Sequence, residues 1–317
     1  MATSDPSPAF QFLVSQRIPP ELILKTIQHL PFENGKRIAS LSVIPRLRDI
    51  ISVYEHSITH SFMKKELRHA LVDFPFCGKF GLGWLSACVS RYDTIDAIMD
   101  ELTWRENCVA VELHNVSAVN AGLLLLYRLA SIPTHLAKLT LIKSLPRDPL
   151  TSMYLAIHHA TLTARYHGHG WIHQRTYGRF MDANQLSLRN EIEFCFAEAT
   201  LSIGPDFLSD MLVTPADSVG ETTLLNFYHD HGTHDWDWPC WGEGKGEFEP
   251  PRTHGPHREG KGRSLFTSML ERMAEVEGCV LEEVRGRVEQ RTDGKAHGLA
   301  YLSLGGKERL VRGLDVA

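Results

Sequence analysis

Histidine is the residue type most available for chemistry in this chain, which holds 17 histidines among 317 residues. One group lies within residues 158–173, and a second places His229, His231 and His234 beside three aspartates. Imidazole and carboxylate groups bind zinc well, and a loop can bring three of them to one ion. His229, His231 and His234 are therefore the candidate metal ligands, and a metal-binding protein or metal-dependent hydrolase is one functional hypothesis.

Sequence patterns of other catalytic sites are missing. Neither histidine group has the HExxH spacing of a zinc protease, and no serine lies in a GxSxG turn. The glycines at 242, 244 and 246 match no phosphate-binding loop, and Glu243 and Glu247 beside them would repel a phosphate. These observations favour a protein that is not an enzyme and that needs no cofactor.

Composition and charge narrow the class of protein further. The chain is 43% hydrophobic with a net charge of −5 and no block of basic residues, which argues against nucleic-acid binding. Its most apolar window, residues 116–132, contains Asn120 and Arg128 and so predicts a buried helix rather than a membrane span. Six scattered cysteines without a CxxC pair indicate reduced thiols. We therefore expect a soluble protein of the cytosol or nucleus with no membrane partner.

The stretch that could position a binding surface is residues 18–51. Pro19 and Pro20 suit the start of a helix, and Glu21 places a carboxylate at its positive end. Apolar residues then recur at helical spacing until Pro31 ends the helix, and two further short helices are predicted before residue 52. Three short helices bury too little surface to be stable alone, so this segment should offer apolar side chains to another surface.

This stretch resembles an F-box, whose pattern runs LPxELxxxIxxxL and, after a spacer, VCxRWRxLI. The first half is matched by IPPEL at residues 18–22 and by Ile27 and Leu30. The second half falls on VIPRLRDII at residues 43–51, where Leu47 stands in place of the usual Trp. The resemblance covers about a tenth of the chain, and the wider texture of the sequence is similar to F-box-like proteins of filamentous fungi.

The resemblance implies an adaptor that docks on the Skp-type linker subunit of a cullin-based ubiquitin ligase and holds an unknown protein substrate. The residues it assigns to docking are Ile18, Pro19, Glu21, Leu22, Ile27, Leu30, Val43 and Leu47. A third hypothesis is a non-catalytic helical scaffold, in which the same N-terminal hairpin packs on its own domain.

Beyond this segment the sequence predicts a mainly α protein with an irregular all-helical domain. The expected divisions are a loose start (1–15), an F-box-like unit (16–73), a helical domain (74–213), a Gly/Pro-rich flexible insertion (214–263) and C-terminal helices (264–317). Trp236, Trp238 and Trp241 in the insertion indicate a segment that docks on its own domain or on a partner.

Two interpretations remain open for residues 108–145. The spacing of Val109, Val111, Leu113 and Asn115, echoed 28 residues later, is typical of leucine-rich repeats. The apolar block at residues 123–126 instead favours helices. The clearest helix of the chain is predicted at residues 148–165, where apolar side chains share one face.

Overall fold

The computed structural model of the protein describes residues 18–32, 35–75, 80–174, 186–214, 219–231 and 263–316. These residues form 15 α-helices and one 3₁₀ turn, with no strand among them, which confirms the predicted mainly α class. The first helices are α1 (Pro20–His29), α2 (Lys36–Leu41), α3 (Pro45–Val53), α4 (Glu55–Glu66), α5 (Ala70–Asp73) and α6 (Leu82–Thr103). They are followed by α7 (Val116–Ala130), α8 (His135–Ser144), α9 (Arg147–Tyr166), α10 (Leu186–Ile203), α11 (Pro205–Leu212), α12 (Val219–His231), α13 (Leu265–Glu277), the 3₁₀ turn (Leu281–Glu283), α14 (Val284–Thr292) and α15 (Leu304–Val311).

The chain divides into two compact units, Met1–Asp93 and Thr94–Ala317. The sequence placed the end of the first unit at residue 73, at the break around Phe74 and Pro75. The unit extends further because Leu85, in the first turn of α6, is fully buried in the same apolar core as the first helices. The division therefore falls within α6 rather than before it.

The N-terminal unit is built around the helices that the prolines predicted. Pro20 is the first residue of α1, and the helix ends at His29, where Leu30 is already extended ahead of Pro31. Pro45 opens α3 in the same way. Their apolar faces meet in one core, in which the rings of Phe32 and Phe62 lie 5.3 Å apart. The buried members are Ile23, Ile27, Phe32, Ile38, Leu47, Ile50, Ile51, Ile58, Phe62, Met63 and Leu85.

The second unit is organised around α7, which is buried on nearly every side. Ten of its 15 residues are buried, as expected for a helix that is apolar all round. Helix α9 packs along it, and Gly122 of α7 lies against the backbone of Ser152 in α9. The predicted buried helix at 116–132 and the predicted helix at 148–165 are both confirmed.

The helical interpretation of residues 108–145 is the correct one. Residues 108–115 form turns and irregular backbone without a strand, and most of the remainder lies in α7 and α8. Val111 is buried but Leu113 is 77% exposed, so the alternation typical of a repeat strand does not bury one common face. The first of the two repeat-like segments therefore lies in turns, and the second lies in helix α8.

The prediction of an unstructured insertion at residues 214–263 is wrong for its first part. Residues Val219–His231 form α12, which packs against α10 and α11 and buries Leu224. The prediction was based on the composition of the whole 50-residue stretch, which is rich in glycine and proline. That average concealed the apolar residues of this one helix. Trp236, Trp238 and Trp241 lie outside the described residues.

A buried carboxylate fixes the start of α13. Glu198 of α10 is 4% exposed and accepts hydrogen bonds from the Leu265 and Phe266 amides and from the Ser264 hydroxyl, at 2.9–3.1 Å. The first amides of a helix have no partner within the helix, so a carboxylate at this end satisfies them and opposes the positive end of the helix dipole. This contact joins two segments that are 66 or more residues apart in sequence.

Candidate functional site

The residues predicted to dock on a partner separate into a buried set and an exposed set. Leu22 is 55% exposed and Val43 is 81% exposed, whereas Ile27 and Leu47 are each only 2% exposed. Ile27 and Leu47 therefore hold the core of the N-terminal unit and do not offer their side chains to a partner. Of the remaining predicted residues, Pro19 and Glu21 are exposed, and Ile18 and Leu30 are half-buried.

A hydrogen bond joins the two segments that carry the exposed members. A side-chain nitrogen of Arg46, in the first turn of α3, donates to the carbonyl of Ile18 just before α1, at 2.6 Å. This bond brings the starts of α1 and α3 together, with Leu22 in the first turn of one and Val43 just ahead of the other. We call four exposed apolar residues of these two helix starts the apolar patch: Pro19, Leu22, Val43 and Pro45.

The apolar stripe of α1 explains why the sequence alone did not separate the two sets. Leu22, Ile23 and Ile27 fall within one broad face at helical spacing, but neighbouring positions on a helix point about 100° apart. Ile23 and Ile27, four residues apart, take the centre of the contact and are buried. Leu22 is displaced to its edge and remains accessible.

The candidate metal ligands are not assembled in the part of the chain that the structure describes. His229 is exposed on α12, His231 is the last residue of that helix, and His234 lies outside the described residues. Among the described residues no group of three His, Cys, Asp or Glu side chains is arranged to hold a metal ion.

A polar ladder on α9 is the feature that the sequence reasoning missed. His159 and Thr163 lie four residues apart on one face of α9, and His167, four residues further on, is the residue directly after the helix ends. His159 contacts the Val109 carbonyl through Nδ1 at 3.3 Å. The Thr163 hydroxyl accepts a hydrogen bond from the side-chain amide of Asn107 at 3.0 Å. His167, at the C-terminal end of α9, completes the ladder.

His167 meets Cys108 in two ways. Its Nε2 accepts a hydrogen bond from the Cys108 backbone amide at 3.1 Å, and the Cys108 Sγ lies 3.4 Å from the same nitrogen. The indole of Trp104 stands edge-on to the imidazole, with ring centroids 6.3 Å apart. The thiol of Cys108 is exposed, so an acceptor nitrogen and an accessible nucleophile are held together at the surface.

The other described cysteines have different surroundings. Cys88 and Cys195 are buried, and burial raises the pKa of each thiol to about 12. Cys279 is half-buried. The four-residue spacing of the α9 ladder was visible in the sequence, but Cys108 is 59 residues from His167 and gave no signal of its own.

His158, next to the polar ladder on α9, has a pKa that the fold shifts strongly. His158 stacks on the Tyr154 ring with centroids 5.7 Å apart and an angle of 8° between the planes. Burial lowers its pKa from 6.5 to about 4, and the charges of His159 and Arg285 act in the same direction, with Glu289 opposing them. The folded protein therefore keeps this imidazole neutral at pH values where an unfolded chain would protonate it.

We expect the free energy of unfolding to fall as the pH drops from about 6.5 to about 4. Above this window His158 is neutral in both states; within it only the unfolded state gains the proton, which costs roughly 3 kcal/mol of stability in total. His158→Phe keeps the ring stack and removes the titration, so chemical denaturation at several pH values should show a shallower loss. An unaltered His158→Phe profile would contradict the assignment.

No protein-family model, curated protein or solved structure matches this chain. No helix within the described ranges combines the length and the apolar character needed to cross a membrane.

Proposed function

We propose that this protein is a substrate-recognition adaptor that docks on a Skp-type linker subunit through its apolar patch. The observation that carries the proposal is the exposure of Leu22 and Val43 at positions of an F-box-like pattern, on a unit that has its own apolar core. The remaining helices would hold a protein target, and the assembly would act in the cytosol or nucleus.

The division of the predicted residues into two sets supports this role. A docking unit must keep its fold while presenting apolar groups, so core and surface functions have to fall on different side chains. Ile27 and Leu47 supply the core, and Leu22 and Val43 remain accessible. Full burial of a Leu or Val side chain contributes about 1.5–3 kcal/mol, so two such residues can make the centre of an interface.

The proposed mechanism is positional and requires no catalytic residue in this chain. An adaptor that binds both a ligase and a target holds a target lysine near a ubiquitin-charged conjugating enzyme. This raises the effective concentration of the two reactants and removes much of the entropic cost of their encounter.

The test is co-purification of the full chain with a Skp-type linker subunit. We expect wild type to bind, and Leu22→Asp and Val43→Asp each to weaken the complex by at least about tenfold, because each would bury an unpaired carboxylate. Both positions are accessible, so circular dichroism should show both variants folded.

The matched control is Val53→Asp. Val53 is 76% exposed at the far end of α3, so it tests the same chemistry away from the apolar patch and should bind like wild type. Absence of binding by wild type, or equal loss in Val53→Asp, would overturn the proposal. Unfolding of Leu22→Asp would instead favour the helical scaffold, in which the N-terminal hairpin packs on its own domain.

A further inference from the structure

The contact between Cys108 and His167 fixes the proton arrangement of the imidazole. A backbone amide can only donate, so the His167 Nε2 that receives the Cys108 N–H must carry a free lone pair. The neutral ring therefore has its proton on Nδ1. The Cys108 thiol lies 3.4 Å from Nε2, beside that same lone pair, and competes with the amide for it.

The loop that carries Cys108 is held independently of this contact. Asn107 is 5% exposed and donates to the Glu101 carbonyl at 3.2 Å and to the Thr163 hydroxyl at 3.0 Å. Its side-chain oxygen accepts the Val109 amide at 3.0 Å. The neighbours of Cys108 on both sides are thus anchored, which leaves the thiol fixed in position but open to solvent.

We propose that Cys108 is a site of reversible thiolation by low-molecular-weight disulfides, with His167 as the base that accepts the thiol proton. A nucleophilic cysteine needs an accessible sulfur and a nearby group that removes or neutralises its proton, and both are present here. This inference is independent of the docking function, because it concerns only the second unit.

The reaction is an exchange of one disulfide bond for another. The Cys108 S–H proton moves to His167 Nε2, which then no longer accepts the bond from the Cys108 amide, as Sγ attacks one sulfur of the small disulfide. The bond between Cys108 Sγ and that sulfur forms, the original S–S bond breaks, and the other half leaves as a thiolate. That thiolate takes the proton from His167 or from water, so one cysteine is oxidised and one small thiol is released.

Thiolation should change the surface locally without unfolding the unit. The added group displaces Sγ from His167 and alters the contact of that ring with Trp104, while the Asn107 bonds persist. A small thiol in excess would reverse the exchange and restore the contact.

The experiment uses the full chain with glutathione disulfide as the probe and peptide mass spectrometry as the readout. We expect Cys108 to be modified at least about tenfold faster than Cys279, with Cys88 and Cys195 unmodified while the protein is folded. Excess glutathione should return the original mass. Cys108→Ser should remove the fast reaction altogether.

The role of His167 is tested with His167→Gln, since a glutamine oxygen can accept the Cys108 amide but cannot take up a proton. We expect the Cys108 rate to fall about tenfold near neutral pH and to rise more steeply with pH than in wild type. His169→Gln, an exposed histidine two residues away, is the matched control and should react like wild type.

Two results would overturn the proposal. One is a Cys108 rate no greater than that of Cys279. The other is a pH profile of Cys108 that is the same in wild type and His167→Gln. The pH profile remains decisive even if the glutamine loosens the loop, because greater exposure would raise the rate at every pH without changing its slope.

Discussion

Gly122→Ala is expected to lower the free energy of unfolding of the second unit by about 3 kcal/mol, with a fall in Tm of roughly 10 °C. A Cβ at Gly122 would lie 2.7 Å from the carbonyl carbon of Ser152 and 3.0 Å from the Ala156 Cβ. The first of these is backbone of α9, which cannot rotate away as the end of a side chain can. Helices α7 and α9 would have to separate, and both are lined with buried residues along this contact.

The matched control for this change is Gly286→Ala on α14. Gly286 is exposed within a helix, and a Cβ there has no atom within 4 Å. Alanine is the better helix former, so this variant should be more stable by about 0.5–1 kcal/mol. The same preference applies at Gly122 but is smaller than the expected cost of the clash.

Thermal and chemical denaturation of the two alanine variants therefore should give shifts of opposite sign. A Gly122→Ala protein as stable as wild type would show that α7 and α9 are not in backbone contact. Equal shifts in both variants would show that helix preference alone governs the two sites.

Ile27→Asp is expected to unfold the N-terminal unit. Removing a buried isoleucine side chain costs about 2–5 kcal/mol even when alanine replaces it, and a buried unpaired carboxylate adds to this cost. Ile27 is 2% exposed in the core of the N-terminal unit, and the total cost is comparable with the whole stability of a small domain. Any loss of partner binding in this variant would follow from loss of the fold.

Leu22→Asp is the comparison that separates the two effects. The two positions lie on the same helix, but Leu22 is 55% exposed and its replacement should cost little stability. Hydrogen exchange across residues 18–93 should show lost protection in Ile27→Asp and protection close to wild type in Leu22→Asp. Retained protection in Ile27→Asp would place that side chain outside the core.

Local features of this chain were predictable from sequence because they depend on near neighbours. Prolines at 20 and 45 start helices, Pro31 follows the end of one, and the apolar block at 123–126 marks the most buried helix. Each of these is set by backbone sterics or by periodicity within one turn or two. The mainly α class follows from the sum of such signals.

What depended on distant residues was decided only by the tertiary structure. Leu22 and Ile27 share an apolar stripe, and only the packing of the other helices decides that one is accessible and the other buried. In the same way, α12 forms within a stretch whose composition predicted a flexible insertion, because Leu224 is buried where α12 packs against α10 and α11.

The candidate sites show the same division. The F-box-like pattern and the histidine clusters each consist of residues close together in the sequence, so they were visible from sequence alone. The pairing of Cys108 with His167 joins a loop to the end of a helix 59 residues later, and it exists because Thr163 and His159 dock that loop on α9. Sequence spacing determined which residues share a helix face, and long-range packing determined which residues meet across it, since such contacts arise only when the chain is folded.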